Sequence, residues 1–154
     1  MEIKNIYIAG TFSSPDDRKS LTALIHLVRH KYPDAEVFVP MEHKVEGDYQ
    51  LPDGSWFLPN EVWARRVFNM DLAAIDRADI VFAMYTGHKS TTGTSWEMGY
   101  AYANGKPIIG YIPSWAEENN MSLMIINSLS GYVNKEGNIV WGVDEEFRKK
   151  YNQK

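Results

Sequence analysis

Two carboxylates in this chain stand where acids can do chemistry. Glu97 lies in the stretch Thr91-Thr92-Gly93-Thr94-Ser95-Trp96-Glu97-Met98-Gly99-Tyr100-Ala101, a few residues after the apolar run Ile80-Val81-Phe82-Ala83-Met84-Tyr85. An unbroken run of that kind reads as a parallel strand buried on both faces. The segment after it reads as a helix with Glu97 in its first turn. Open α/β sheets place their ligands just beyond the C-terminal ends of parallel strands, so the carboxylate is a candidate catalytic group. Gly93 and Gly99 leave room for something to approach it. The same spacing also has a purely structural use. Thr94-x-x-Glu97 is a capping box, in which the threonine hydroxyl and the glutamate satisfy backbone amides at the helix start.

Asp71 is the second acid. Val67, Phe68, Leu72 and Ile75 mark the expected buried stripe of the preceding helix, and Asp71 falls within it. A carboxylate buried without a partner is costly, so it needs a partner or a purpose. Capping of a neighbouring element, or pairing with Arg65, Arg66 or Arg77, would be structural answers. Two carboxylates in one cleft would instead suit glycosyl transfer, one attacking the anomeric carbon while the other protonates the leaving group. A helix N-terminus favours ionised Glu97, and an apolar pocket favours protonated Asp71. Their titrations are therefore expected to separate.

The elements that must hold these acids follow from periodicity and punctuation. Residues 3–9 read as a first strand, followed by the loop Gly10-Thr11-Phe12-Ser13-Ser14. Ser14-Pro15-Asp16-Asp17 is a helix start with a cap, a proline at the first helical position and acids in the first turn. That helix is expected to run to about residue 32. A short strand follows at 36–39, then an irregular stretch at 41–58, long enough to be functional in a compact domain. A helix over 59–77 and the strand at 80–85 precede the Glu97 helix, which should end at Asn104-Gly105. Strand 107–112, helix 121–129, one last short strand from Val133 and residues 139–141, and a helix over 144–151 complete the chain. Strands alternating with helices predict a single doubly wound α/β domain spanning residues 1–154, flavodoxin-like or Rossmann-like, with a five-stranded parallel sheet.

Composition narrows the function. The 154 residues carry a net charge of −4, which argues against a nucleic acid polymer as partner. No apolar run approaches the ~20 residues that span a bilayer, so no membrane partner is expected. The N-terminal residues lack the basic and apolar regions of a secretion signal, which predicts a cytoplasmic protein. The chain has no cysteine, which excludes disulfides, thiol catalysis and cysteine metal sites. His26 and His30 are spaced like a metal-binding pair but face away from the stripe Leu21, Leu24, Ile25 and Val28, so no metal site is expected. Neither of the common glycine-rich phosphate-loop patterns occurs. The hydroxyls of Thr11 and Ser13 beside Gly10, ahead of a helix, could still hold an anion, or could form a simple turn and cap.

These residues together resemble the nucleoside 2-deoxyribosyltransferases and their N-glycosidase relatives, over about residues 3–133. The carriers are Ile6-Tyr7-Ile8-Ala9-Gly10, Val62-Trp63-Ala64, Asn69-Met70-Asp71-Leu72, Gly93 through Ala101, and Leu123-Met124-Ile125. The resemblance implies that Glu97 is the nucleophile of a covalent deoxyribosyl-enzyme and that Tyr7 orients it. It implies that Asp71 protonates the departing base, after which another base or water takes the sugar. Met124 matches a residue that a neighbouring subunit contributes, which implies a homo-oligomer with shared active sites. The substrates implied are a nucleoside or nucleotide and a free nucleobase, with no cofactor and no metal.

Three positions depart from the family pattern. Thr91 replaces an aspartate, and Ser122 an asparagine, on the side that holds the sugar 5′-hydroxyl. Hydroxyl donors there would suit a 5′-phosphate, because a carboxylate repels it. Hydrolysis of nucleoside 5′-monophosphates is therefore the alternative outcome, with Arg18 and Lys19 the nearest cations. A catalytically silent nucleotide-binding module is a further one. Lys44 replaces a base-contacting glutamine, which leaves the base preference open.

Overall fold

In a computed structural model the chain is described over residues 1–43, 61–87, 91–116 and 121–151, and in its backbone over 49–50 and 56–57. The strands of the main sheet are β1 (Asn5–Ala9), β2 (Glu36–Phe38), β5 (Ile80–Met84), β6 (Ile108–Tyr111), β7 (Gly131–Val133) and β8 (Ile139–Trp141). β3 (Tyr49–Gln50) and β4 (Trp56–Phe57) pair antiparallel as a separate ribbon within the stretch expected to be irregular. The helices are α1 (Pro15–Lys31), α2 (Glu61–Arg77), α3 (Thr92–Ala103), α4 (Leu123–Ser128) and α5 (Glu145–Tyr151). Among the described residues no helix is long and apolar enough to cross a membrane.

The main sheet runs in the order β2-β1-β5-β6-β7-β8. All neighbours are parallel except β7 and β8, which form an antiparallel edge hairpin. The doubly wound α/β class stands, but the sheet has six strands where five were expected. The expected last strand is two, because Asn134 to Asn138 make a turn in which Gly137 takes φ +77°. Three-residue strands show too little alternation to be separated by pattern alone.

Side-chain parity splits the core between the two faces of the sheet. Ile6, Ile8, Ile80, Phe82 and Met84 face α1, where Leu21, Leu24, Ile25 and Val28 meet them. Tyr7, Ala9, Val81 and Ala83 face the other way, against Ala74 and Ile75 of α2 and Met98 and Ala101 of α3. Every residue of β5 is buried, as its continuous apolar run predicts. From β1 the chain winds outward through α1 to β2, then returns through α2 to β5 on the opposite side of β1. The winding direction thus reverses at the β1–β5 boundary, and a crevice opens beyond the carboxyl ends of those strands.

Local signals at the mouth of that crevice behave as expected. Ser14 caps α1, its hydroxyl accepting from the Asp17 amide at 3.1 Å while the Asp17 carboxylate accepts from the Ser14 amide at 3.2 Å. Gly10 permits the close approach of α1 to the sheet. A Cβ there would stand 2.7 Å from Leu21 Cδ1 and 3.3 Å from Met84 Cβ, both within fully packed side chains.

Candidate active site

A cavity of about 490 Å³ occupies the crevice. Gly10, Thr11, Phe12 and Ser13 line it from the end of β1, and Pro40, Met41 and His43 from the segment after β2. Trp63, Val67, Met70 and Asp71 approach from α2, and Gly93, Thr94 and Glu97 from α3. The two acids singled out from sequence therefore share one opening, together with Gly10, Thr11, Ser13 and Gly93.

Glu97 is not a cap. α3 begins at Thr92 with Thr91 as N-cap, whose side chain makes no capping hydrogen bond, so Glu97 lies in the second turn rather than the first. The hydroxyl of fully buried Tyr7 instead donates to Glu97 Oε2, joining β1 to α3 across 90 residues of sequence. Burial raises the Glu97 carboxyl to about 7, with the Tyr7 hydrogen bond opposing the rise and the Asp71 charge adding to it. The expectation of a helix terminus keeping Glu97 ionised is thus corrected, because the terminal charge fades beyond the first turn. The Tyr7 phenol is pushed far up by its own burial and by both acids.

Asp71 falls on the inward stripe of α2, as expected, and burial raises its carboxyl to about 6. Its Oδ1 is buried and has no hydrogen-bond partner among the described residues. Arg65 pairs with Glu61 at 3.3 Å, so it does not serve Asp71. The stripe itself differs from expectation: Trp63, Ala74 and Ile75 are its buried members, whereas Phe68 is 47% exposed and packs on Trp96.

Other expected site residues lie elsewhere. Thr91 is buried at the start of α3 and is not among the described lining of the cavity. Ser122 caps α4, accepting from the Met124 amide at 3.2 Å, and both residues line a different cavity of about 480 Å³ on the far side of α3. Arg18 donates to the Phe12 carbonyl at 3.1 Å, holding the loop rather than facing the cavity. The Thr11 and Ser13 hydroxyls lie 2.9 Å apart. The amides of Ser14 and Asp17 are taken by the capping box, which answers the cap alternative. Lys44 falls outside the described residues. His26 and His30 are exposed, and among the described residues no three histidine, aspartate or glutamate side chains gather as a metal site would.

Sequence reasoning missed the wall formed by Pro40, Met41 and His43. Within the 41–58 stretch it names only Lys44 as a site residue, and the packing of β2 against β1 brings this wall over the cavity.

Comparison with known proteins decides the family. The model for nucleoside 2-deoxyribosyltransferases matches residues 6–150. This chain belongs to that family. The nucleoside deoxyribosyltransferase of Lactobacillus leichmannii is 30% identical over 115 residues, covering 73% of each chain. That of Lactobacillus johnsonii is 25% identical over 118 residues, 76% of this chain and 78% of the other. The solved 2-deoxyribosyltransferase of Bacillus psychrosaccharolyticus superposes with a TM-score of 0.69 at 30% identity, covering 85% and 86% of the two chains. The family is one of pentosyltransferases, and the chain is an enzyme of that class.

Proposed function

We propose that this enzyme cleaves the N-glycosidic bond of a 2′-deoxynucleoside and transfers the sugar to another nucleobase through a covalent intermediate on Glu97. The observation that carries the reading is one cavity in which Tyr7 holds a carboxylate on one side and Asp71 presents a buried oxygen without a partner on the other.

The steps follow from these groups. Ionised Glu97 attacks C1′, the C1′–N bond breaks, and its electron pair leaves with the base. Asp71 gives its proton to a nitrogen of that base, so the base departs neutral. An incoming base then attacks C1′, its N–H proton passes to Asp71, and the ester bond to Glu97 breaks. Catalysis needs one proton on the pair, placed on Asp71. The raised Glu97 carboxyl competes for it. A bound base accepting a hydrogen bond from Asp71 Oδ1 would favour neutral Asp71, and positive charge developing on the sugar would favour ionised Glu97.

A neutral nucleoside suits this cavity better than a 5′-monophosphate. Its described lining includes two carboxylates and neither lysine nor arginine, and the nearby start of α1 carries Asp16 and Asp17. We assign the sugar to the Gly10, Thr11, Ser13 and Gly93 side and the base to the space before Asp71. Met124 is 73% exposed, and with Ser122 it is available to the cavity of a second copy of the chain.

The test is incubation with deoxynucleosides or their 5′-monophosphates, with and without free adenine or cytosine, followed by chromatography of the products. A new deoxynucleoside supports the proposal. Free base with deoxyribose 5-phosphate would replace it with hydrolysis, and binding without turnover would replace it with a silent module.

A further inference from the structure

The turn after β2 holds a device that sequence patterns do not reveal. Tyr7 and Phe38 are direct cross-strand partners in the parallel β1–β2 pair, so their side chains rise on the same face. Their rings stack with centroids 5.7 Å apart and planes 12° apart. The chain then enters a short 3₁₀ turn at Pro40–Glu42 that ends with the His43 amide bonded to the Pro40 carbonyl at 3.1 Å. This reversal lays the His43 ring on Phe38, 4.1 Å away and 11° from parallel. Arg29 of α1 pins the turn by a two-pronged contact to Glu42, at 3.0 and 2.5 Å. Three nearly parallel rings thus run from the wall of the cavity to the phenol that grips Glu97.

We propose that Phe38 and His43 are positioning residues for the nucleophile: their stack fixes the Tyr7 ring so that its hydroxyl stays on Glu97. β1 is held on both sides by β2 and β5, but β2 is an edge strand of three residues, so its hydrogen bonds alone hold Phe38 weakly. The stacked rings fix Phe38 against Tyr7, and they couple the His43 wall of the cavity to the Glu97 carboxylate. The inference rests on the nucleophile reading of Glu97 for its catalytic consequence, but not for its structural one.

The test has two readouts. The carboxyl of Glu97 is titrated by carbon NMR in the wild type and in Phe38→Leu, His43→Ala and His43→Phe proteins, and transfer kinetics are measured on the same samples. The described titratable groups around Glu97 are Tyr7 on β1, Asp71 on α2 and His43 across the cavity. The Tyr7 hydrogen bond favours the ionised form, so loosening it should move the Glu97 midpoint upward. A rise of about half a pH unit or more is expected in Phe38→Leu. A smaller rise is expected in His43→Ala, and a midpoint close to wild type in His43→Phe, which restores a stacking ring without the imidazole nitrogens. Turnover should fall about tenfold in Phe38→Leu with KM nearly constant, as misorientation predicts. Circular dichroism confirms that each variant is folded. Should Phe38→Leu fail to fold, the two His43 variants decide alone.

An unchanged Glu97 midpoint in folded Phe38→Leu and His43→Ala overturns the inference. So does a shift that persists in His43→Phe, since that would mark an effect of the imidazole nitrogens rather than of the stacked ring. A midpoint that moves in an enzyme without transfer activity would sustain the ring stack and overturn the proposed reaction instead.

Discussion

Helix α3 divides two cavities of nearly equal size with opposite character. On one side Gly93, Thr94 and Glu97 face an opening with two acids whose titration is displaced by burial. On the other, Ser95, Met98, Gly99 and Tyr102 meet Ser122 and Met124 in an opening with no charged side chain among its described lining. The two sets interleave in sequence and separate only through the ~100° turn per helical residue. Residues that a family pattern gathers into one site can thus occupy opposite faces of one helix within a single chain. The proposed chemistry belongs to the first face, and the second is suited to packing.

That contrast can be broken by mutation. Glu97→Ala should lower transfer by at least ~10³-fold, since nothing nearby replaces a covalent nucleophile. Ser95→Ala, on the opposite face, should change steady-state rates by less than about threefold. Comparable losses in the two variants would erase the distinction.

Next in size is Asp71→Asn, expected to cost ~10²–10³-fold, with the loss steepest for poorly leaving bases. A uniform loss across leaving groups would show that Asp71 does not deliver the proton. The same substitution should stabilise the protein at alkaline pH. A carboxyl raised to about 6 by folding from its ordinary value near 3.8 contributes most at low pH. That contribution is lost as pH rises through the folded value. After allowance for solvent screening, Asp71→Asn should gain about 1–2 kcal/mol at pH 8 and much less at pH 4, measured by denaturant unfolding.

The pH dependence of kcat/KM sharpens the picture further. One proton on the pair is the active state, so activity should fall on the acid side as both carboxyls protonate and on the alkaline side as both ionise. The limbs belong to the coupled pair and should bracket the region of about 6 to about 7. A rate that stays flat from pH 5 to 9 would remove the acid and nucleophile assignment. The smallest effect is expected from Met124→Ala, a KM change of a few-fold that appears only under conditions where the chain self-associates, as judged by molar mass from light scattering. A KM unmoved in the associated state would return Met124 to the role of a surface residue.

Much of this was legible in the residues. The Ser14 cap of α1, the buried run of β5 and the inward position of Asp71 all follow from short-range rules, because caps, alternation and helical spacing act within a few residues. The antiparallel β7–β8 edge reads as one strand in the sequence because three residues carry almost no period. Spacing predicts Phe68 inside, yet it packs on Trp96 at the surface. Glu97 matched a capping box, but that motif depends on where α3 begins, and the helix starts too early to use it.

From the chain alone came the doubly wound α/β order and the two acids, since these rest on local spacing and residue type; the family came from resemblance to known sequences. Tertiary packing decided which neighbours each acid meets. Tyr7 reaches Glu97 over 90 positions, Phe38 and His43 line up behind it, and Ser122 and Met124 fall beyond the helix. Desolvation and long-range contact set the acidity of a carboxyl, and both are properties of the folded interior rather than of any segment.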